Sequence, residues 1–354
     1  MKTRFLFLSM LMSVMNFTSC NCNNWTDLNP DEFQQAIGPE TCIIDVRTPQ
    51  EYADGHLYRA INIDWQKDGF IDEITQLLDK SIPLAVYCRS GRRSAEAASV
   101  LADAGYKVIN LKEGFQSWTA AGKMVNHYPV ECFTEGATTL FITLIKHGSL
   151  EISFKGSSIQ IDPVSGYGKT TDYATEFPKA DAILITHEHG DHLDKNAIQA
   201  LSRQGTRVIM NEKSRQQVGL GEAIANGQRT TLDPVGVALE VYPAYNTTPG
   251  REQFHPKGNG NGYLLHFWGS LNVYVAGDTE DIPEFADIRK NNQHRVTVAF
   301  LPVNQPYTMT VDQCVNAAKM INPKVLIPYH FSQTDLSGLP EQLPDIKVML
   351  RDMQ

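Results

Sequence analysis

The stretch Ile183-Leu-Ile-Thr-His187-Glu-His189-Gly-Asp191-His192 determines how the second half of this chain folds and what it binds. Its apolar, β-branched beginning predicts a buried strand. The strand leads directly into three imidazoles and a carboxylate, which are ligands that suit divalent metals. A strand end holds its side chains rigidly at the edge of a sheet, so these groups can meet around metal ions. Four such ligands exceed the need of one ion, and the stretch therefore predicts half of a two-metal hydrolytic site.

The composition is that of a soluble globular protein. The chain has 354 residues, of which 42% are hydrophobic and 20% charged, and this length suits two domains. The net charge of −9 argues against general nucleic-acid binding, because phosphate backbones require clustered lysines and arginines. The six cysteines include no Cys-x-x-Cys pair and no disulfide framework. We expect a small-molecule substrate and no nucleic-acid partner.

The N-terminus has the layout of a signal peptide over residues 1–20. Two basic residues precede the apolar run 5–15, which is too short to span a bilayer. The following Phe17-Thr-Ser-Cys20 resembles a bacterial lipobox, which implies export and a cell-envelope lipoprotein anchored at Cys20. A lipid anchor is then the only contact with the membrane. Phe17 stands where leucine is usual, so plain cleavage near Ser19 is the alternative.

Residues 24–125 predict a first α/β domain. Short apolar strands such as Leu84–Tyr87 alternate with amphipathic helices, one of them over Ser94–Ala104. This alternation predicts a parallel sheet flanked by helices. Residues 126–137 have no clear period, and we interpret them as a linker.

Residues 138–354 predict a second domain that is richer in strands. Consecutive apolar runs over 140–145, 150–154 and 158–161 are separated by short turns, and later strands alternate with helices. Thr310-x-x-Gln313 has the spacing of a capping box and predicts the start of a helix. Strand-rich halves with helices outside them predict a four-layer αββα sandwich.

Cys88 is a candidate nucleophile. It lies between the strand Leu84–Tyr87 and a helix, in the cationic loop that continues as Arg89, Ser90, Gly91, Arg92, Arg93 and Ser94. Backbone N–H groups in such a loop can form an anion-binding nest, and the helix N-terminus adds positive potential. Both favour the thiolate, the reactive form of cysteine. The alternative is a buried cysteine beside a solvated arginine loop.

The first domain resembles rhodanese-like domains. The resemblance lies in Asp45-Val-Arg-Thr-Pro-Gln-Glu-Tyr-Ala-Asp-Gly-His56, Ala60-Ile-Asn62 and Cys88-Arg-Ser-Gly-Arg-Arg-Ser94. It implies a Cys88 persulfide, with a sulfane-sulfur donor or a thiol acceptor as partner. Dual-specificity-type phosphatases are a competing interpretation, but they require Cys-x5-Arg, and Ser94 occupies that position here. A non-catalytic docking role is a further alternative, because many rhodanese-like domains are interaction platforms.

The second domain resembles the metallo-β-lactamase superfamily, through His-x-His-x-Asp-His after a strand and through later carboxylate and imidazole groups at strand ends. The resemblance assigns roles to seven residues. It implies His187 and His189 for the first metal, Asp191, His192 and His330 for the second, Asp278 as the bridge, and Asp162 as the carboxylate that orients a ligand histidine.

One ligand of the first metal is open. Many members supply a histidine from a Gly-His-Thr segment, which this chain lacks. His255 is our predicted ligand and Asn246 is the alternative. The segments 254–262 and 304–309 resemble a subgroup near the ascorbate-6-phosphate lactonase-like hydrolases. We expect four other histidines to be structural or solvated: His56, His147, His266 and His294.

The combined prediction is an exported metal-dependent hydrolase that carries a sulfurtransferase domain. Two divalent ions, Zn2+ by default, lower the pKa of a shared water and direct hydroxide at the substrate. Asp191 is expected to orient that hydroxide, and Lys257 or Tyr245 to stabilise the oxyanion. Lys257 also suggests an anionic substrate. Lactone, amide, thioester and phosphodiester bonds are all open.

An oxidoreductase is the alternative enzyme. Persulfide dioxygenases of this superfamily occur fused to rhodanese domains and use one Fe2+. They resemble the Gly-His-Thr branch, from which this chain departs. Metal content distinguishes the two hypotheses.

Overall fold

The structure, a computed structural model, describes residues 25–353. They form an N-terminal unit around a parallel sheet and a C-terminal unit with two larger sheets. The leader predicted for residues 1–20, including Cys20, lies outside the described residues. Among the helices of residues 25–353, none is long and apolar enough to cross a membrane.

The N-terminal unit alternates strands and helices, as the sequence predicts. Its elements are β1 (Trp25–Leu28), α1 (Pro30–Ala36), β2 (Cys42–Asp45), α2 (Pro49–Ala53), β3 (His56–Leu57), β4 (Ile61–Asn62), α3 (Phe70–Leu77), β5 (Leu84–Tyr87), α4 (Arg92–Asp103), β6 (Val108–Leu111), α5 (Gly114–Ala120) and β7 (Val125–Asn126). Five strands form a parallel sheet in the order β1-β6-β5-β2-β4, and β3 pairs with β7.

The strands β2 and β5 and the glycine that follows β5 determine the position of the Cys88 loop. Strands β2 and β5 are buried along their whole length, so both are continuous apolar runs. They are parallel neighbours, and their carboxyl ends lie at the same edge of the sheet. Helix α4 follows Gly91, whose φ is +91° and where a Cβ would lie 1.7 Å from the Lys112 carbonyl oxygen. Only glycine fits there, and the chain turns from β5 directly into α4.

The C-terminal unit contains fourteen strands and five helices within the described residues. They are β8 (Val130–Glu135), β9 (Thr138–Lys146), β10 (Ser149–Phe154), β11 (Ser157–Ile161), β12 (Ala182–Ile185), α6 (Lys195–Leu201), β13 (Arg207–Met210), α7 (Glu212–Val218), β14 (Glu222–Ala223), β15 (Arg229–Leu232), β16 (Val237–Ala244), β17 (Gly260–His266), β18 (Asn272–Val275), α8 (Phe285–Asn291), β19 (Val298–Pro302), α9 (Val311–Ile321), β20 (Val325–Tyr329), α10 (Leu339–Gln342) and β21 (Lys347–Val348).

These strands form two seven-stranded sheets that face each other. The first has the order β14-β13-β12-β11-β10-β9-β8 and the second β15-β16-β17-β18-β19-β20-β21. Apolar side chains from both sheets share one buried core. Helices α6 and α7 pack on the outer face of the first sheet, and α8, α9 and α10 pack on the outer face of the second. The predicted αββα sandwich is confirmed.

The linker predicted for residues 126–137 is wrong in its main part. Residues Val130–Glu135 form β8, which pairs antiparallel with β9 at the edge of the first sheet. Only Val130 and Phe133 of this strand are buried. An edge strand needs few apolar side chains, so its sequence lacks the regular alternation that identifies other strands.

The N-terminal unit covers part of the outer face of the first sheet. Along β10, Leu150 and Ile152 point into the sandwich, while Glu151 points outward and accepts a hydrogen bond from the Tyr58 hydroxyl at 2.7 Å. Phe141 of β9 packs into the hydrophobic core of the N-terminal unit. This unit therefore covers the outward-facing side chains of β9 and β10 at these positions.

Candidate metal centre

Four strand ends supply most of the side chains of the candidate metal centre. Asp162 follows β11, the loop from Thr186 to His192 follows β12, Asp278 lies three residues beyond β18, and His330 follows β20. Strands β11 and β12 are parallel, as are β18, β19 and β20. The carboxyl ends of parallel strands meet at one edge of each sheet, which brings these residues to a common site.

The donor atoms form two groups. In the first, one ring nitrogen each from His187, His189 and His255 lie within 4.8 Å of one another. In the second, ring nitrogens of His192, His330 and His147 and a carboxylate oxygen of Asp191 meet the same limit. The first group contains only imidazoles, and the second adds a carboxylate, so each is suited to a divalent ion.

Asp278 connects the two groups. Its Oδ2 lies 3.2 Å from Nε2 of His255 and 3.2 Å from Nε2 of His330, and its Oδ1 lies 3.4 Å from Nε2 of His192. These three nitrogens and Asp278 Oδ1 are buried without a hydrogen-bond partner among the described residues. Buried polar atoms are rarely left unpaired. The donor set therefore fits two cations with Asp278 between them.

Hydrogen bonds on the far side of the rings fix which nitrogen faces the centre. Asp162 is fully buried and contacts Nδ1 of His192 at 2.8 Å, while it accepts from the backbone N–H of Thr186 at 2.7 Å. Nδ1 of His255 lies 3.0 Å from the carbonyl oxygen of Tyr307. Such partners set the tautomer and orientation of metal-binding histidines, and both arrangements leave Nε2 free to bind a metal.

Asn246, the alternative ligand, supports the same carbonyl. Its side-chain amide donates to the Tyr307 carbonyl oxygen at 2.8 Å, next to the contact from His255. The ring of His255 belongs to the first donor group. His255 therefore has the geometry of a metal donor, and the Asn246 amide supports the Tyr307 carbonyl oxygen that His255 also contacts.

The Cys88 loop has the geometry of an anion-binding turn. Cys88 is 1% exposed, and its Sγ accepts from the Gly91 backbone N–H at 3.2 Å and from the Ser94 hydroxyl at 3.5 Å. Arg93 forms two hydrogen bonds to Glu51, at 2.8 and 2.9 Å. The other loop members, Arg89, Ser90 and Arg92, are exposed. The thiol therefore accepts from two neutral donors, and Arg93, which also contacts Cys88, shares its charge with the Glu51 carboxylate.

Comparisons with known proteins agree with both units. Residues 141–330 match the beta-lactamase superfamily domain, and this match covers more than half of the chain. The chain belongs to the beta-lactamase superfamily. Residues 29–121 match the rhodanese-like domain, so this superfamily member carries a rhodanese-like domain in front of its metallo-β-lactamase fold.

Its relatives are named for metal-dependent hydrolysis. A UPF0173 metal-dependent hydrolase of Ignicoccus hospitalis is 31% identical over 207 residues, which are 55% of this chain and 84% of that protein. One from Koribacter versatilis is 29% identical over 214 residues, 58% of this chain and 90% of that protein. The chain is therefore supported as a metal-dependent hydrolase of this superfamily.

Two solved structures are similar to the second domain. A putative metal-dependent hydrolase from Parabacteroides distasonis is 49% identical with a TM-score of 0.59, and the match covers 64% of this chain and 100% of that one. Igni18, a metallo hydrolase from Ignicoccus hospitalis, is 28% identical with a TM-score of 0.52, and the match covers 61% of this chain and 96% of that one. Both similarities support the fold assigned to the superfamily domain.

His147 is a site residue that sequence reasoning missed. Its Nε2 lies 3.2 Å from Oδ2 of Asp191, and its ring lies 3.7 Å from that of His330. The expectation that His147 is merely structural or solvated is therefore wrong, because the turn after β9 directs it into the superfamily's metal centre. Its neighbour Gly148 lies against the same centre. A Cβ on Gly148 would lie 2.6 Å from Cε1 of His192.

The other three histidines agree with the prediction. His56 is buried between the carbonyl oxygens of Tyr52 and Tyr128, and His266 contacts Glu240 and Asn272. His294 is exposed.

Three residues of the centre have left-handed backbone conformations. The φ angles are +44° at Asp162, +47° at His147 and +49° at His330. Non-glycine residues adopt this region at a cost of about 1–3 kcal/mol each, and such residues cluster at functional sites. The strain at His147 supports its place beside Asp162 and His330.

Opposite charges stabilise each other across the centre. Burial alone would raise the pKa of Asp191, but contacts with His147 and His330 hold this pKa well below its usual range. Burial alone would lower the pKa of His330, but Asp278 and Asp191 raise it to about 10. His330 therefore holds a proton in the absence of a cation, and cation binding would release it.

Lys257 is not placed as the sequence suggested. Its ammonium lies 3.0 Å from Glu284 and donates to the Tyr245 hydroxyl at 3.0 Å. Tyr245 itself is buried and donates to the same glutamate at 2.9 Å. Glu284 therefore contacts both Lys257 and Tyr245. The expectation of an anionic substrate rested on the ammonium of Lys257, which is already paired with this glutamate.

Proposed function

We propose that the second domain hydrolyses its substrate with two divalent ions, Zn2+ by default. The position of Asp278 carries this proposal, because its two oxygens contact donor atoms of both ligand groups. His187, His189 and His255 would hold one ion, and Asp191, His192 and His330 the other. Such ions polarise the substrate and lower the pKa of water.

The protein's own groups would orient the reaction. Asp191 is partly exposed and faces the centre, so it can accept a hydrogen bond from the attacking water. His147 donates to Asp191 from the other side and fixes the carboxylate. Asp162 holds His192 in the required tautomer. The similarity of segments 254–262 and 304–309 to the ascorbate-6-phosphate lactonase-like subgroup supports lactones as the first substrates to test.

Metal analysis tests the proposal. Full-length protein purified without added metal should contain about two zinc ions per chain and hydrolyse a member of an ester, lactone and phosphodiester panel. About one iron per chain, with oxygen uptake on glutathione persulfide, would instead establish the dioxygenase alternative. A zinc-loaded protein that is inactive on the whole panel would contradict hydrolysis.

We further propose that Cys88 carries sulfane sulfur. The N–H of Gly91 and the hydroxyl of Ser94 are directed at Sγ and can stabilise its anion. With thiosulfate, the Cys88 thiolate attacks the outer sulfur, the S–S bond breaks, and sulfite leaves. Cyanide then takes the sulfur as thiocyanate and regenerates the thiolate. Thiocyanate formation by the full-length protein tests this role, and its absence would favour a docking function.

Export and lipidation at Cys20 are proposals that rest on the N-terminal pattern alone. Metabolic labelling with a palmitate analogue in a bacterial host should modify the native protein and leave Cys20→Ala unlabelled. An unlabelled native protein in the soluble fraction would contradict the anchor.

A further inference from the structure

We infer that the mouth of the metal centre binds a substrate with an aromatic or similarly flat apolar group, which Tyr167 and Tyr307 contact. This inference rests on the proposed hydrolase function and adds a substrate class to it. It starts from the exposure of large apolar and aromatic side chains. Six large apolar or aromatic side chains of the described residues are exposed, and two of them border the centre: Tyr167 at 46% and Tyr307 at 47%.

Tyr167 lies on the side of the second donor group. Its ring is 4.4 Å from the ring of His147, which in turn donates to Asp191 and packs on His330. The Tyr167 ring thus lies against the ring of His147. The other parts of the ring are available to a bound molecule.

Tyr307 lies on the side of the first donor group. Its carbonyl oxygen is the partner of both His255 and Asn246, so the backbone at this residue is fixed relative to the ligands. Its ring packs edge-on against Phe254 at 5.1 Å. The two exposed rings therefore flank a two-ion centre from opposite donor groups.

The loop that presents Tyr167 is held by a buried ammonium group. Lys146 is 2% exposed, and its Nζ donates to the carbonyl oxygens of Ser165, at 3.0 Å, and Lys169. These two residues bracket Tyr167. Burial of an ammonium is unfavourable unless it is well hydrogen-bonded, and here the bonds go to a short surface loop. The arrangement indicates that the position of Tyr167 is maintained for contact with substrate.

Three cations near the ligand segments are paired with carboxylates of the protein itself. These pairs are Lys213 with Glu188 at 2.7 Å, Arg251 with Glu280 at 3.5 Å, and Lys257 with Glu284 at 3.0 Å. Tyrosine rings, by contrast, offer stacking and edge contacts to flat groups.

Paired substrates and variants test the inference. Benzyl acetate and ethyl acetate share the scissile bond and differ in the aromatic ring. With the zinc-loaded full-length protein, Tyr167→Ala and Tyr307→Ala should each raise KM for benzyl acetate about fivefold to tenfold and leave kcat within about twofold. KM for ethyl acetate should change less than about twofold. Tyr167→Phe, which keeps the ring, should behave as the native protein.

The control is Trp268→Ala. Trp268 lies in the turn after β17, its ring is 57% exposed, and the ammonium of Lys155 lies over this ring. This substitution should change neither KM. Equal effects of the tyrosine variants on both esters, or effects no larger than those of the control, would overturn the inference. Zinc content is measured for every variant, and loss of zinc with the tyrosine substitutions would also overturn it.

A binding experiment separates this inference from the hydrolase proposal. Benzylphosphonate and methylphosphonate are titrated calorimetrically into the zinc-loaded protein. Tighter binding of the benzyl compound that disappears in the two alanine variants supports the aromatic site, even if neither ester is hydrolysed. Equal affinities in the native protein overturn the aromatic site, even if esters are hydrolysed.

Discussion

The Cys88 loop and the metal centre show two ways of building a reactive site. Both follow the carboxyl ends of buried parallel strands, where the chain leaves the sheet. The Cys88 loop is assembled from seven consecutive residues and the first turn of one helix. The metal centre takes its groups from positions between His147 and His330, and Asp278 connects the two ligand groups. The donors to the thiol of the first site are therefore local in sequence, and Glu51 joins them through Arg93, whereas the second site depends on the packing of two sheets.

The largest effect is expected from Asp278→Asn. The amide keeps the shape but removes the charge that contacts both donor groups, so we expect loss of at least one ion per chain and a fall in kcat/KM of at least about 100-fold. Elemental analysis and ester hydrolysis measure the two effects. Thiosulfate:cyanide sulfur transfer should be unchanged, and its loss would contradict the independence of the two sites.

The reciprocal experiment is Cys88→Ser. We expect complete loss of sulfur transfer, because the serine hydroxyl cannot form a persulfide. Zinc content and ester hydrolysis should stay within about twofold of the native values. A large fall in hydrolysis would contradict the independence of the two sites.

A smaller effect is expected from Gly148→Ala. The added Cβ would lie 2.6 Å from Cε1 of His192, which is fully buried and cannot move without disturbing Asp162. We expect a loss of unfolding free energy of about 1–3 kcal/mol and weaker zinc binding.

The matched control is Gly190→Ala. Gly190 lies within the His-x-His-x-Asp-His motif, and a Cβ there meets no heavy atom within 4 Å. Denaturant unfolding and competition with a zinc chelator compare the two variants. Equal effects would mean that glycine at 148 is not required for the ring of His192.

The smallest effect concerns pH and the Cys88 loop. Hydrogen bonds from Arg93 lower the pKa of Glu51 from 4.5 to about 2. A carboxyl group with a lowered pKa contributes stability above its unfolded value, and this contribution is lost as pH falls from about 4.5 to about 2. Because the pair is only partly buried and solvent still screens it, we expect no more than about 1 kcal/mol.

Denaturant unfolding of the native protein and Glu51→Gln at pH 7 and pH 3 measures this contribution. The difference between the two proteins should be larger at pH 7. A difference that grows at pH 3 would contradict the assigned ion pair.

Prediction from the sequence was more successful for local features than for features that depend on distant parts of the chain. The strand Leu84–Tyr87 is predicted to the residue, because it is a short, apolar run that is buried along its whole length. The edge strand Val130–Glu135 is missed, because edge strands carry little periodic signal. His147 is missed for a different reason: a single histidine after a strand says nothing about which residues approach it in space.

The sequence alone determined the two α/β units, the local Cys88 loop and the identity of most metal-binding groups, since these depend on short-range patterns and a motif. Only the tertiary structure decided which candidate donor groups lie together, that His147 contacts Asp191, that Glu284 pairs with Lys257, and that two exposed tyrosines border the centre. These features come from strand ends that are far apart in the chain. Their positions are fixed by the packing of the sheets, which no local pattern encodes.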